Sequence, residues 1–275
     1  MIKMVQKMHY SRKNNSPFLL ELKNVTVIKC RKKILDSVSI SIEQGEHVVI
    51  IGPNGSGKSS LIKTFTKEYQ PHASTDEFVL KIMGKDIWNV FELRKLLGIV
   101  SGDLQQIYCR QINVLDVILS GFFSSIGIYY NHDVTPEMEN RAREILEFLE
   151  ILHLENRLIC ELSTGEARRI LIGRALVHDP YALILDEPAN SLDLKALYSF
   201  RECIRKIASS GKSVILVTHN LQDIIPEINR VVLIREGKIF RDGEKGDILT
   251  DANLSELFDL PVRVLEKGGF YQALV

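Results

Sequence analysis

Apolar and polar residues alternate along Phe18–Val27 and again along Ser37–Ile42, the period of strands that bury one face and wet the other. After a turn at Gln44-Gly45 the apolar residues of His47–Ile51 run continuously. Such a run predicts a strand covered on both faces. Ala182–Leu185, Val214–Val217 and Val231–Ile234 read the same way, and Phe78–Met83 predicts one more strand, closed by Gly84. Between the strands the period becomes helical, at Ser59–Thr66, Ser163–Val177 and Leu194–Ala208. Gly237 and Gly243 are expected to mark hairpin turns after the last apolar run. Strands that alternate with helices imply an α/β fold on a mostly parallel sheet.

Residues 106–162 differ in character. Thr135-Pro136-Glu137 offers an N-cap and a first-turn proline. Met138, Ala142, Ile145, Leu146, Leu149 and Leu152 then continue at helical spacing. This stretch predicts a helical insertion. Residues 1–17 read as a basic tail carrying Lys3, Lys7, Arg12 and Lys13, either solvated or attracted to anionic lipid.

Composition narrows the field. The chain has 275 residues, 45% hydrophobic and 25% charged, with 35 basic residues against 35 acidic ones. Neutrality argues against a global field for nucleic acid. The cysteines, at 30, 109, 160 and 203, are too few and too far apart for a disulfide scaffold or a CxxC site. Reduced thiols in a cytosolic compartment are the expectation. The uncharged stretch Val117–Tyr130 falls short of the ~18–20 residues of a membrane span.

Gly52-Pro53-Asn54-Gly55-Ser56-Gly57-Lys58-Ser59 satisfies GxxxxGK[ST], with Ser60 next in line. A predicted strand precedes it and a predicted helix follows, which is the context a phosphate-binding loop requires. Glycines let the backbone curl so that successive N–H groups face inward on phosphate oxygens. Lys58 can reach the β- and γ-phosphates, and the Ser59 hydroxyl can ligate Mg²⁺. Ala182–Leu185 runs into Asp186-Glu187. A carboxylate at such a strand end can hold Mg²⁺, which suits Asp186. Glu187 then points further out, where it can orient or deprotonate a water for attack on the γ-phosphate.

The chain resembles an ATP-binding cassette (ABC) ATPase over residues 18–275. Beyond the two nucleotide motifs, Leu162-Ser163-Thr164-Gly165-Glu166 is similar to the LSGGQ-type signature, with Thr164 and Glu166 as departures. Asn190-Ser191-Leu192-Asp193 resembles the D-loop, and Thr218-His219 resembles the switch histidine. The resemblance implies a P-loop NTPase (RecA-like) core, 18–105 and 163–275, with an antiparallel β subdomain and a helical subdomain at about 106–162. It implies ATP and Mg²⁺ as ligands. Ser163, Thr164, Gly165 and Glu166 would face ATP held by another subunit, so a complete site needs two cassettes head to tail, as a homodimer or with a related cassette. Read alone, Leu162–Glu166 is an N-capped helix start. His219 would contact the γ-phosphate and position water, and Asp193 would serve as the D-loop aspartate. Lys29 stands where many relatives carry an adenine-stacking aromatic; either adenine packing is weaker here or the aliphatic stem of Lys29 lies along the base. Gln105 is the choice for the Q-loop contact to Mg²⁺ and water; Gln106 is the alternative, and Gly102 holds the most literal alignment position.

Val117–Tyr130 holds four aromatics. It reads either as a core element of the helical subdomain or as a docking patch for a permease helix. Gly98–Gln106 and Val117–Tyr130 resemble molybdate-transport-like cassettes, and Ile248–Val262 resembles the tail of iron-chelate and cobalamin importer cassettes. The importer side of the family is therefore expected, with the chain cytoplasmic and peripheral at the inner face of the membrane. The alternative is a soluble ABC ATPase with a regulatory or stress role. A DNA-repair or translation role would call for a long coiled-coil insertion or a second cassette, and neither is visible.

Overall fold

The computed structural model describes residues 16–72, 77–102 and 111–275. Most of the basic tail, Gln105 and Gln106 lie outside the described residues. Strands β1 (Phe18–Lys29) and β2 (Lys32–Glu43) pair antiparallel, and β4 (Val79–Ile82) joins the other edge of β1. Among the described residues the central sheet has six strands, in the order β5-β6-β7-β3-β8-β9. These are β3 (His47–Ile51), β5 (Leu97–Ser101), β6 (Ala182–Asp186), β7 (Ser213–Thr218), β8 (Arg230–Arg235) and β9 (Lys238–Glu244). All pairs are parallel except β8 with β9.

Among the described residues the helices are α1 (Lys58–Phe65), α2 (Val90–Leu96), α3 (Val114–Leu119), α4 (Pro136–Phe148), α5 (Thr164–Leu176), α6 (Leu194–Ser209), α7 (Lys245–Ile248) and α8 (Asp251–Phe258). A terminal hairpin pairs β10 (Arg263–Lys267) with β11 (Phe270–Leu274). Successive residues of each parallel strand feed opposite cores, which is why the strands read as continuous apolar runs. Val48 and Ile50 pack with Leu22, Ile42, Leu61 and Phe65; Val49 and Ile51 pack with Ile118, Leu146, Ile170 and Phe200 on the other face. Each such buried Val, Leu or Ile contributes roughly 1.5–3 kcal/mol. The strands are therefore rigid platforms for the loops at their carboxyl ends. Register brings those ends into one row: Ser101 pairs Asp186, Asp186 pairs Val217, and Ile51 pairs Thr218.

Two expectations are corrected. Gly237 does turn the chain between β8 and β9, at φ 75°, but Gly243 lies inside β9 opposite Val231. Glycine there serves packing, since a Cβ would meet the Ile248 side chain at 3.3 Å. Second, Leu152 is not on the helix that Thr135 caps. That helix ends at Phe148, and Leu152 opens a short 3₁₀ turn, 40% exposed. Glu150 adopts φ 59°; its N–H bonds Glu147 O, and Ile151 N–H bonds Leu146 O at 2.9 Å. This is a Schellman stop with glutamate where glycine is usual.

Val117–Tyr130 divides in two. Val117, Ile118, Leu119 and Ser120 are buried, and a Cβ on Gly121 would meet Arg174 O at 2.4 Å. Phe122 packs edge-on against His178, and Phe123 stacks on His132 at 4.2 Å. Only Tyr129 and Tyr130 are largely exposed.

Candidate active site

β3 hands the chain to Gly52–Gly57, which leads straight into α1. Gly57 is the N-cap at φ 107°, so no side chain competes for the first N–H groups of the helix. Gly52 is pinned against β8: a Cβ there would lie 2.2 Å from Ile234 O and 2.6 Å from Ser56 Oγ. Gly52→Ala must displace backbone, so we expect a loss of about 1–3 kcal/mol or more, read as a lowered melting temperature. An unchanged melt would contradict this packing.

Lys58 is buried at 4% exposure, although it carries a charge. Its Nζ donates to Gly52 O at 2.8 Å and Pro53 O at 3.1 Å, and lies 3.6 Å from Glu187 Oε1. Burial pushes the Lys58 ammonium down from its usual value, against the opposing carboxylates of Glu187 and Asp186. Pro53, Asn54, Gly55 and Ser56 form the rest of the loop, while Ser59 and Ser60 follow Lys58 in the first turn of α1.

Glu187 follows β6 in a left-handed conformation, φ 47°, fixed by its N–H on Val217 O at 2.8 Å. Asn190 Nδ2 donates to Glu187 Oε2 at 2.7 Å, and His219 Nδ1 lies 3.2 Å from Oε1. Burial raises the Glu187 carboxyl, but the hydrogen bonds from Asn190 and His219 and the charges of His219 and Lys58 outweigh it. The group is held below its usual value and stays ionised near neutrality.

Ser59, Ser101, Gly102, Arg168, Asp186, Glu187 and Asn190 line a cavity of about 370 Å³ at these strand ends. Sequence reasoning missed Arg168. It is 3% exposed, and burial lowers its guanidinium from the usual value. The signal was weak, because α5 is buried nearly all round and shows no polar face. Ser163–Glu166 do not line the cavity. Ser163 caps α5: its Oγ donates to Glu166 Oε2 at 2.6 Å, and Glu166 N–H bonds Ser163 Oγ at 3.4 Å. The hydrogen bond from Ser163 holds the Glu166 carboxyl below its usual value. Thr164 is exposed, and Gly165 is buried so tightly that a Cβ would lie 2.8 Å from Ala196 Cβ. Asp193 caps α6 by accepting Ala196 N–H at 2.8 Å. Lys29 ends β1 exposed, and its Nζ donates to Tyr69 Oη at 2.7 Å. Tyr69 is the aromatic at this corner that sequence reasoning did not single out.

A phosphate loop between a parallel strand and a helix, with carboxylates at the end of a second parallel strand, β6, two places along the sheet, defines a P-loop nucleotide hydrolase. The family model described as ABC transporter matches residues 35–190. "Uncharacterized ABC transporter ATP-binding protein YlmA" of Bacillus subtilis is 36% identical over 251 residues, 90% of this chain and 93% of its own. "Probable iron chelatin transport ATP-binding protein" of Helicobacter pylori is 29% identical over 252 residues, 90% of this chain and 95% of its own. Among solved structures, the ADP conformation of MJ1267, an ATP-binding cassette of an ABC transporter, superposes with a TM-score of 0.76 at 26% identity, covering 89% of this chain and 99% of that one. The dimeric post-hydrolysis state of the cassette MJ0796, bound to ADP and Pi, gives 0.65 at 27% identity, covering 82% and 98%. The chain belongs to the ABC transporter family. It is an ATP-hydrolysing cassette of that family.

Proposed function

We propose that two copies of this cassette close head to tail over two ATP molecules, and that hydrolysis energises import of a small solute through a separate membrane permease. The observation that carries the reading is the division of the motifs. Lys58, Asp186, Glu187 and His219 gather at one set of strand ends, whereas Ser163–Glu166 lie off that cavity with Ser163 and Thr164 exposed. A helix N-terminus presented outward suits an anion held by another molecule. The dimeric state of MJ0796 supports this arrangement.

In this reading the loop Gly52–Gly57 and the N-terminus of α1 hold the phosphates. Lys58 exchanges its bonds to Gly52 O and Pro53 O for phosphate oxygens. Ser59 and Asp186 offer a hydroxyl and a carboxylate on the same cavity, a donor set that fits Mg²⁺ completed by phosphate and water. When bound, Mg²⁺ would neutralise charge developing on the phosphates; Gln105 is the further ligand proposed. Glu187, ionised and braced by Asn190 and His219, accepts the proton of the attacking water or orients it. His219 steadies both Glu187 and the γ-phosphate. Asp193, at the start of α6, faces the second copy. Adenine lies by Lys29 and Tyr69.

No helix among the described residues is long and apolar enough to cross a membrane. In this reading the permease is a separate chain, and this one is peripheral at the cytoplasmic face. Tyr129 and Tyr130 present two aromatic anchors for it. The iron chelatin relative supports an importer. Affinity purification of the full chain from native membranes is expected to recover a multi-span integral protein. Replacing Tyr129 and Tyr130 together by serine should weaken that recovery by about tenfold or more, with ATPase activity intact. Active cassette recovered without any integral protein would favour the soluble, regulatory alternative.

A further inference from the structure

His219 projects from a turn that starts at the last residue of β7, Thr218. The contacts that shape this turn are made by its neighbours. The Thr218 hydroxyl donates to the Asp223 carboxylate, and the same oxygen accepts Asn220 N–H at 3.0 Å. Asn220 Oδ1 accepts Gln222 N–H at 3.0 Å, and Asp223 N–H bonds Asn220 O at 3.2 Å. Residues 218–223 thus close into a ring of hydrogen bonds with His219 on its rim. From α6, Arg201 donates to Gln222 O and lies over the Phe270 ring at 5.1 Å. The terminal hairpin covers this side, and a Cβ on Gly269 would touch Pro226 at 3.0 Å.

Asp223 is the unusual member. It is 2% exposed, and its Oδ1 is buried with no hydrogen-bond partner. Burial raises the Asp223 carboxyl from its usual value, outweighing both the Thr218 hydroxyl bond and the nearby charge of Arg201, so stability alone does not account for it. Its reach toward Thr218 does, because Thr218 is the residue that launches His219.

We infer that Asp223 is a positioning residue for His219: by clasping Thr218 it sets how the imidazole meets Glu187. This rests on the proposed role of His219 at the γ-phosphate. Nucleotide binding, made at Gly52–Ser59, does not depend on the clasp; the hydrolytic step does. With Mg-ATP and the full chain, Asp223→Ala should lower kcat by about tenfold and leave KM within about twofold. Asp223→Asn, which keeps an acceptor oxygen in the same shape, should restore most of the rate. In a His219→Ala background, Asp223→Ala should cost nothing further, because the two residues act as one unit. Thr218→Val severs the same bond from the other side and decides the matter by the same criteria should Asp223→Ala fail to fold. A folded Asp223→Ala protein with full kcat, or an equal loss with and without His219, overturns the inference and leaves the role of His219 standing. Full turnover by His219→Ala itself would instead overturn the reading of the site.

Discussion

Glu187→Gln should leave ATP binding intact, cut turnover by about a hundredfold or more, and accumulate an ATP-bound dimer. The carboxylate is held below its usual value by Asn190 and His219, so at neutral pH it is ready to accept a proton. An amide of the same shape cannot accept one. It also removes a negative charge from beside the γ-phosphate, and this favours the closed, loaded state. In the proposed site Lys58 and the loop still supply the nucleotide contacts. Phosphate release measures the loss, and size-exclusion chromatography with Mg-ATP measures the dimer. A strictly monomeric variant at saturating Mg-ATP would count against the two-copy site.

Lys58→Ala is expected to abolish hydrolysis and to weaken ATP binding. The ammonium is buried among Gly52 O, Pro53 O and Glu187. In that setting each charge-assisted bond to phosphate is worth about 1.5–3 kcal/mol, so the affinity loss should be at least tenfold. Transition-state charge raises the cost further, as for other preorganised donors. Burial already penalises the Lys58 charge, so its removal should shift the apo melting temperature by only a few degrees. That separates a chemical loss from an unfolded protein. Wild-type turnover in a folded Lys58→Ala protein would refute the assignment.

The phosphate loop was legible because its chemistry depends on spacing within one turn of chain. Gly52, Gly57, Lys58 and Ser59 need only their order, a strand before and a helix after. The helix start at Thr135 was legible for the same reason. Its end was not, because Glu150 adopts the left-handed conformation where a glycine would have been the signal. Gly243 misled in the opposite sense. Glycine is permissive, so its presence does not distinguish a turn from a close packing contact. The uncharged run Val117–Tyr130 looked uniform, yet packing against α5 splits it into a buried start and an exposed pair of tyrosines.

The order of apolar runs and phosphate-binding residues determined the fold class and the nucleotide chemistry, since both follow from local periodicity and backbone freedom. Tertiary structure alone decided which charges are buried and what they face. Lys58, Arg168 and Asp223 are ordinary charged residues until strand register encloses them. Glu187 meets His219 only because β6 and β7 lie side by side and end together. Burial and neighbouring charge are properties of that arrangement, and they set the state of each candidate catalytic group.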